Sequence, residues 1–212
     1  MKSIDRAKPI LVTGANGYVA SWLVKKLLDE GLTVHAAGRN IENEEKFNHL
    51  KEMAKGTGGS IVFFESDLLK PESYQKAMEG CELVYHTASP FTSNYKNAQK
   101  ELIDPAVKGT ENVLNSANAT GSVKRVVITS SCAAIYTDAI DSVNAPGGKL
   151  TEEIWNTTAS LDYQPYSYSK TLAEKKAWKM ADEQQRWDLV AINMSLVLGP
   201  AYNIHHATSE GI

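Results

Sequence analysis

The sequence predicts an α/β protein, a doubly wound parallel sheet with helices on both faces. Apolar runs of strand length alternate strictly with helix-period segments along all 212 residues. The runs are continuously apolar, as strands buried on both faces require. The first run also closes on a glycine turn that opens directly into a helix.

Taken in order, PILVT (9–13) is the first strand and GYVASWLVKKLLDE (17–30) the first helix. Val19, Leu23, Val24, Leu27 and Leu28 fall at helical spacing there, and Gly31 is a stop. LTVHAA (32–37) is a second strand, and ENEEKFNHLKEMAKG (42–56) a charged amphipathic helix. SIVFFE (60–65) gives a third strand, PESYQKAMEG (71–80) a short helix, and ELVYHTA (82–88) a fourth strand. A long helical stretch over 98–119 is expected to bend at Asp104-Pro105 and Gly109, because proline removes a backbone donor. VKRVVITS (123–130) is the fifth strand. The turn-rich, aperiodic segment after it reads as a loop over a site. A helix over 164–184, with Pro165 in its first turn, leads to a sixth strand, DLVAIN (188–193).

Composition narrows the function classes. Hydrophobic residues make up 42% and the net charge is −3, with no block of Lys or Arg to suggest nucleic-acid binding. MKSIDRAKP lacks the apolar centre of a secretory signal, and LVAINMSLVLG (189–199) is too short to span a bilayer. Cys81 and Cys132 have neither a disulfide-framework count nor metal-ligand spacing, and His205-His206 has no third ligand at such spacing. A cytoplasmic setting with no metal, nucleic acid or membrane partner is the expectation.

TGANGYVA (13–20) carries the first functional signal. Gly14 permits a tight turn, Gly17 lets backbone approach a pyrophosphate at the helix N-terminus, and Ala20 allows close helix–strand packing. Asn16, Tyr18 and Val19, in the same turn and helix start, are counted as cofactor contacts with them. The absence of Gly-Lys-Ser/Thr argues against a nucleoside-triphosphate loop. An NAD site would need an acid at the end of the second strand. HAAGRN (35–40) instead offers Arg39, with no carboxylate before Glu42. A guanidinium suits a 2′-phosphate, so NADP is expected over NAD; the other reading is a solvated surface arginine. Asp67, followed by Leu68, either accepts from the adenine amino group or caps the next helix.

PYSYSK (165–170) carries the second signal. Tyr166 and Lys170 are four apart, so on a helix they share a face, where a cation lowers a phenol's pKa from its ordinary ~10. Tyr168 has Leu172 at its own +4 position and lacks such a partner.

These stretches, with HTASPF (86–91), DPAVKGTENVL (104–114), VKRVVITSSCAAIY (123–136), YSYSKTLAE (166–174) and SLVLGP (195–200), occur in a set order over nearly the whole chain. Together they resemble the extended short-chain dehydrogenase/reductase family of the NAD-dependent epimerase/dehydratase superfamily. Within it they resemble the branch of dihydroflavonol, cinnamoyl-CoA and aldehyde/ketone reductases. The resemblance implies a Rossmann fold with strand order 3-2-1-4-5-6 and a catalytic Ser–Tyr–Lys set. Tyr166 and Lys170 map to the last two; Ser130 and Ser131 compete for the first, and the branch pattern favours Ser131. Sugar-nucleotide epimerases use the next position, here Cys132, and a thiol is a poor donor, which argues against that chemistry. The family further implies cofactor contacts at Thr87, Ala88 and Ser89, at Lys170, near Met194 to Val197, and at Ser209. His86 reads as a structural strand-end residue. Many members have proline at the position of Met194, so the backbone there is expected to differ.

The implied reaction is NADPH-dependent reduction of an aldehyde or ketone to an alcohol. Tyr136 and QPYSY (164–168) depart from the dihydroflavonol and cinnamoyl-CoA signatures, so a less specialised carbonyl substrate is expected. The alternative is a non-catalytic NAD(P)-binding or redox-sensing protein. Family members continue for roughly a hundred residues past Gly199-Pro200, the scale of a further lobe. Residues 1–212 are thus expected to form the dinucleotide domain, with 200–212 the start of a substrate lobe that is largely absent. Exposed apolar surface is expected where that lobe would dock.

Overall fold

The computed structural model describes residues 1–89 and 94–203. Among them, β1 (Ile10–Thr13), β2 (Thr33–Gly38), β3 (Ser60–Glu65), β4 (Leu83–His86), β5 (Arg125–Ser131) and β6 (Asp188–Met194) form one parallel sheet. Its order is β3-β2-β1-β4-β5-β6, as the resemblance implied. The strand order reverses between β1 and β4, which opens a crevice at their carboxyl ends.

Alternating side chains of the central strand enter opposite layers. Ile10 and Val12 pack with Val24, Leu28, Phe47 and Leu50, beneath α1 (Tyr18–Asp29) and α2 (Glu44–Ala54). Leu11 packs on the other face with Met78, Val113, Leu114, Ala177 and Met180. Those come from α3 (Gln75–Met78), α4 (Asp104–Ala119) and α6 (Pro165–Asp182), with α5 (Asp141–Asn144) lying in the β5–α6 connection. Two dry layers on one sheet explain why its central strands read as unbroken apolar runs.

Three departures from the expected elements have local causes. The helix expected over 71–80 shrinks to α3, because Ser73 bonds back to both backbone groups of Asp67 and Glu72 adopts φ 62°. The stretch over 98–119 begins as a wide π turn, Gln99–Ile103, just before Pro105, whose missing N–H disrupts regular pairing. Gly109 does not bend α4. It gives clearance, since a Cβ there would come within 3.3 Å of the Leu68 side chain.

The sheet is unevenly covered. β6 lies at an edge and is half-exposed along most of its length, and Ile192, Leu196 and Leu198 stand 47%, 62% and 71% exposed. Apolar surface is therefore open along β6 and the segment that follows it. No helix among the described residues is long and apolar enough to cross a membrane.

Candidate active site

A groove of about 700 Å³ opens at the crevice beside β1. Gly14, Asn16, Gly17, Tyr18, Val19 and Ala20 line its floor, with Arg39, Asp67, Leu68, Thr87, Ala88 and Ser89 around them. The glycines make it from backbone. Gly14 has φ +60°, and a Cβ there would come within 3.0 Å of Ala88. Gly17 has ordinary φ (−69°) and begins α1 without a side-chain cap. A Cβ on Gly17 would stand 3.2 Å from the Gly14 carbonyl, so a larger residue would crowd the turn that lines the groove. The uncapped first-turn amides of α1 suit an anion, and no acid in that turn opposes one.

The rim charge suits a 2′-phosphorylated dinucleotide. Arg39 is joined there by Lys46, from the first turn of α2. The acid nearest that turn in the sheet, Glu65, is already occupied. Its carboxylate accepts from Asn40 N–H at 2.9 Å and Ile41 N–H at 3.0 Å, and those bonds hold its pKa below the usual carboxylate range. Asp67 lines the groove and accepts from Leu69 N–H at 2.9 Å, a turn rather than a cap on α3. Lys46, Gly38, Ser66 and Tyr74 also line the groove and were not expected from the sequence.

The Ser131, Tyr166 and Lys170 side chains meet beside this groove. Gln164 (φ 54°) and Pro165 start α6, which carries Tyr166 and Lys170 one turn apart. Lys170 Nζ donates to the groove residue Ser89 at 2.9 Å and lies 5.7 Å from the Tyr166 ring centroid. Ser131 hydrogen-bonds the Tyr166 phenol while its hydroxyl oxygen accepts from Ala133 N–H at 3.1 Å. Ser130, the rival serine, points the other way and donates to the buried Glu174 carboxylate.

The electrostatics differ from the sequence expectation in one respect. Tyr166 is held above its ordinary pKa, first by burial, with the Ser131 hydrogen bond pulling it back and Cys132 raising it. Lys170 is directed to Ser89 and lies against the ring, and burial pushes its own pKa down to about 8. The lysine therefore does not dominate the phenol here. The charge of Cys132, and its hydrogen bond to the Tyr136 phenol, raise the pKa of that phenol. His86 is buried against Thr13 Oγ1 at 3.0 Å, and burial pushes it down to about 3, so it stays neutral.

Other expected positions fall elsewhere. Met194 keeps its N–H and continues β6 opposite Ser131, where proline would interrupt pairing. Val197 does not line the groove. The chain beyond it is drawn to α1, with Tyr18 O–H donating to Gly199 O at 2.7 Å and Trp22 Nε1 to Pro200 O at 2.9 Å. Ser209, His205 and His206 lie outside the described residues. The loop over 132–163 is ordered by Asn156, which takes Ala134 O with its backbone N–H and Ala133 O with its side chain, each at 2.8 Å. This ties it to the turn that follows Ser131.

Residues 10–211 match the family model described as the NAD dependent epimerase/dehydratase family. A cinnamoyl-CoA reductase of Medicago truncatula is 42% identical over 203 residues, 94% of this chain and 61% of that protein. A tetraketide alpha-pyrone reductase of Arabidopsis thaliana is 40% identical over 202 residues, 93% of this chain and 60% of that one. The solved structure of yeast methylglyoxal/isovaleraldehyde reductase Gre2 complexed with NADPH superposes with a TM-score of 0.76 at 31% identity, covering 91% of this chain and 59% of that one. The chain thus spans about 60% of the length of the curated relatives it matches. With the glycine turn, the strand order and the family match in agreement, the chain belongs to the NAD dependent epimerase/dehydratase family.

Proposed function

We propose that this chain is the cofactor-binding and catalytic portion of an NADPH-dependent reductase that converts an aldehyde or ketone to an alcohol. The observation that carries the reading is the convergence of Ser131, Tyr166 and Lys170 beside the groove, with Lys170 bonded to the groove residue Ser89. Residues 1–212 act as the dinucleotide domain, with 200–212 the start of a substrate lobe.

Arg39 and Lys46 would hold the 2′-phosphate, and the α1 amides above Gly17 the pyrophosphate. When bound, the reduced nicotinamide supplies a hydride, two electrons and one hydrogen, to the carbonyl carbon and is left as NADP⁺. Ser131 and Tyr166 donate hydrogen bonds to the carbonyl oxygen as negative charge develops on it. Tyr166 then gives its proton to that oxygen, completing the alcohol. The phenolate left behind is stabilised by the neighbouring Lys170 ammonium and is reprotonated from solvent. NADPH-bound Gre2 supports the cofactor, and the reductases among the relatives support the reaction class.

Titrating NADPH and NADH, then following loss of reduced-cofactor absorbance with a panel of aldehydes and ketones, tests this. Tighter NADPH binding and turnover on at least one carbonyl are expected. Binding without turnover on any carbonyl would favour a non-catalytic NAD(P)-binding protein, and binding of neither cofactor would defeat both readings.

A further inference from the structure

Glu174 is a carboxylate that the proposed mechanism leaves unused, and it is only 5% exposed. Burying an acid is costly unless donors satisfy it. Its partners are three neutral donors. The Ser130 hydroxyl and Asn193 Nδ2, the latter at 2.7 Å, converge on Oε2, and Trp178 Nε1 reaches Oε1 at 3.2 Å. Asn193 Nδ2 also contacts the Ser131 carbonyl at 3.2 Å. A well-packed apolar side chain would stabilise the core as well as this arrangement does.

What the carboxylate touches gives it a role. Ser130 and Ser131 are successive residues at the end of β5, so their side chains point to opposite faces of the sheet. Glu174 lies two further four-residue steps along α6 from Tyr166, through Lys170, on one side of that helix. It therefore holds the α6-facing side of the strand end through Ser130, while Ser131, the last strand residue, where the chain turns into Cys132–Ala134, meets Tyr166 from the first turn of the same helix.

We propose that Glu174 is a positioning residue. By holding Ser130 and Asn193 it fixes the end of β5 against α6 at the separation where the Ser131 hydroxyl meets the Tyr166 phenol. The catalytic meaning of that contact rests on the reductase reading; the contact itself does not.

Glu174→Gln is the direct variant, since an amide cannot accept from all three donors without turning its own NH₂ toward one of them. The first readout is the ¹³Cζ resonance of Tyr166 at neutral pH, in protein carrying labelled tyrosine and assigned through Tyr166→Phe. The other groups facing this phenol, Cys132 beyond β5 and Lys170 on α6, are unchanged throughout. Ser131→Ala should move the resonance, Glu174→Gln should move it the same way, and the double variant should sit no further than Ser131→Ala alone. An unmoved resonance in Glu174→Gln, or a full additional shift in the Ser131→Ala background, would overturn the proposal. If Glu174→Gln fails to fold, Ser130→Ala removes one donor, leaves the carboxylate its other two, and enters the same comparison.

The second readout is kinetic. In Glu174→Gln, kcat should fall about ten- to hundredfold with KM and NADPH affinity unchanged. A loss of thermal stability with kcat intact would mark Glu174 as merely structural. A wild-type chain without turnover would defeat the reductase reading, and the resonance shifts would still decide the role of Glu174.

Discussion

Around β1 and β2 the groove is made from backbone: Gly14 in a left-handed turn, Gly17 opening an uncapped helix, and small residues that leave room for a ligand. Around β5 and β6 the chemistry is held by side chains. Ser131, Tyr166 and Lys170 are fixed by Glu174, Asn193, Asn156 and Ser89, beside an edge strand that is only half covered. The first region binds by leaving atoms out. The second works by aiming atoms at one another. A fault in the first should cost binding, and a fault in the second should cost turnover.

Paired substitutions give the sharpest contrast. Tyr166→Phe should lower kcat by about 10²- to 10⁴-fold while the NADPH dissociation constant stays near wild type. Gly17→Val should do the reverse, abolishing measurable NADPH binding by calorimetry, because its Cβ would crowd the Gly14 carbonyl at 3.2 Å in the turn that lines the groove. Retained turnover in the first, or retained binding in the second, would break the division between the regions.

At the groove rim the effect is smaller. Arg39→Asp should shift preference from NADPH toward NADH by about tenfold or more, the value of a charge-assisted phosphate contact. Lys46→Glu should act in the same direction, and an unchanged ratio in both would remove the 2′-phosphate assignment.

The smallest expected effect concerns stability. Burial lowers Lys170 from 10.5 to about 8. Between those values the unfolded chain binds more protons than the folded one, so stability rises with pH across that window. The cost of burying this charge is fully present below about pH 8. Lys170→Met should therefore be the more stable protein at pH 7 in denaturant melts, with the gap closing toward pH 10.5. A gap that is constant with pH would contradict the burial of this ammonium.

The backbone-built half was the more legible in the sequence. Glycines at a strand–helix junction have few other uses, and continuously apolar strands announce a sheet covered on both faces. Lys46 reaches the groove from α2, beyond the strand end where a phosphate partner is ordinarily sought. Its signal was available: a cation between Glu45 and Phe47 in the first turn of α2, where the helix dipole disfavours it. The branch pattern favoured Ser131 over Ser130, and the fold adds the reason Ser130 is not free to face Tyr166, its bond to Glu174, which no local pattern contains. Asn156 and Glu174 were silent for a related reason. The partners that tie them to β5, β6 and the turn after Ser131 lie 19 to 44 residues away, and only the folded chain brings them together. Spacing alone also does not reveal the burial of Tyr166, which holds its pKa above the ordinary value.

The most direct test of the central claim uses NADPH deuterated at the transferable position, with any carbonyl that the chain turns over. Mass spectrometry of the alcohol should find one deuterium on the carbinol carbon with the wild-type chain, and no labelled product with Tyr166→Phe. NADPH binding with no labelled alcohol from any carbonyl, or equal labelling by the wild-type and Tyr166→Phe chains, would contradict it.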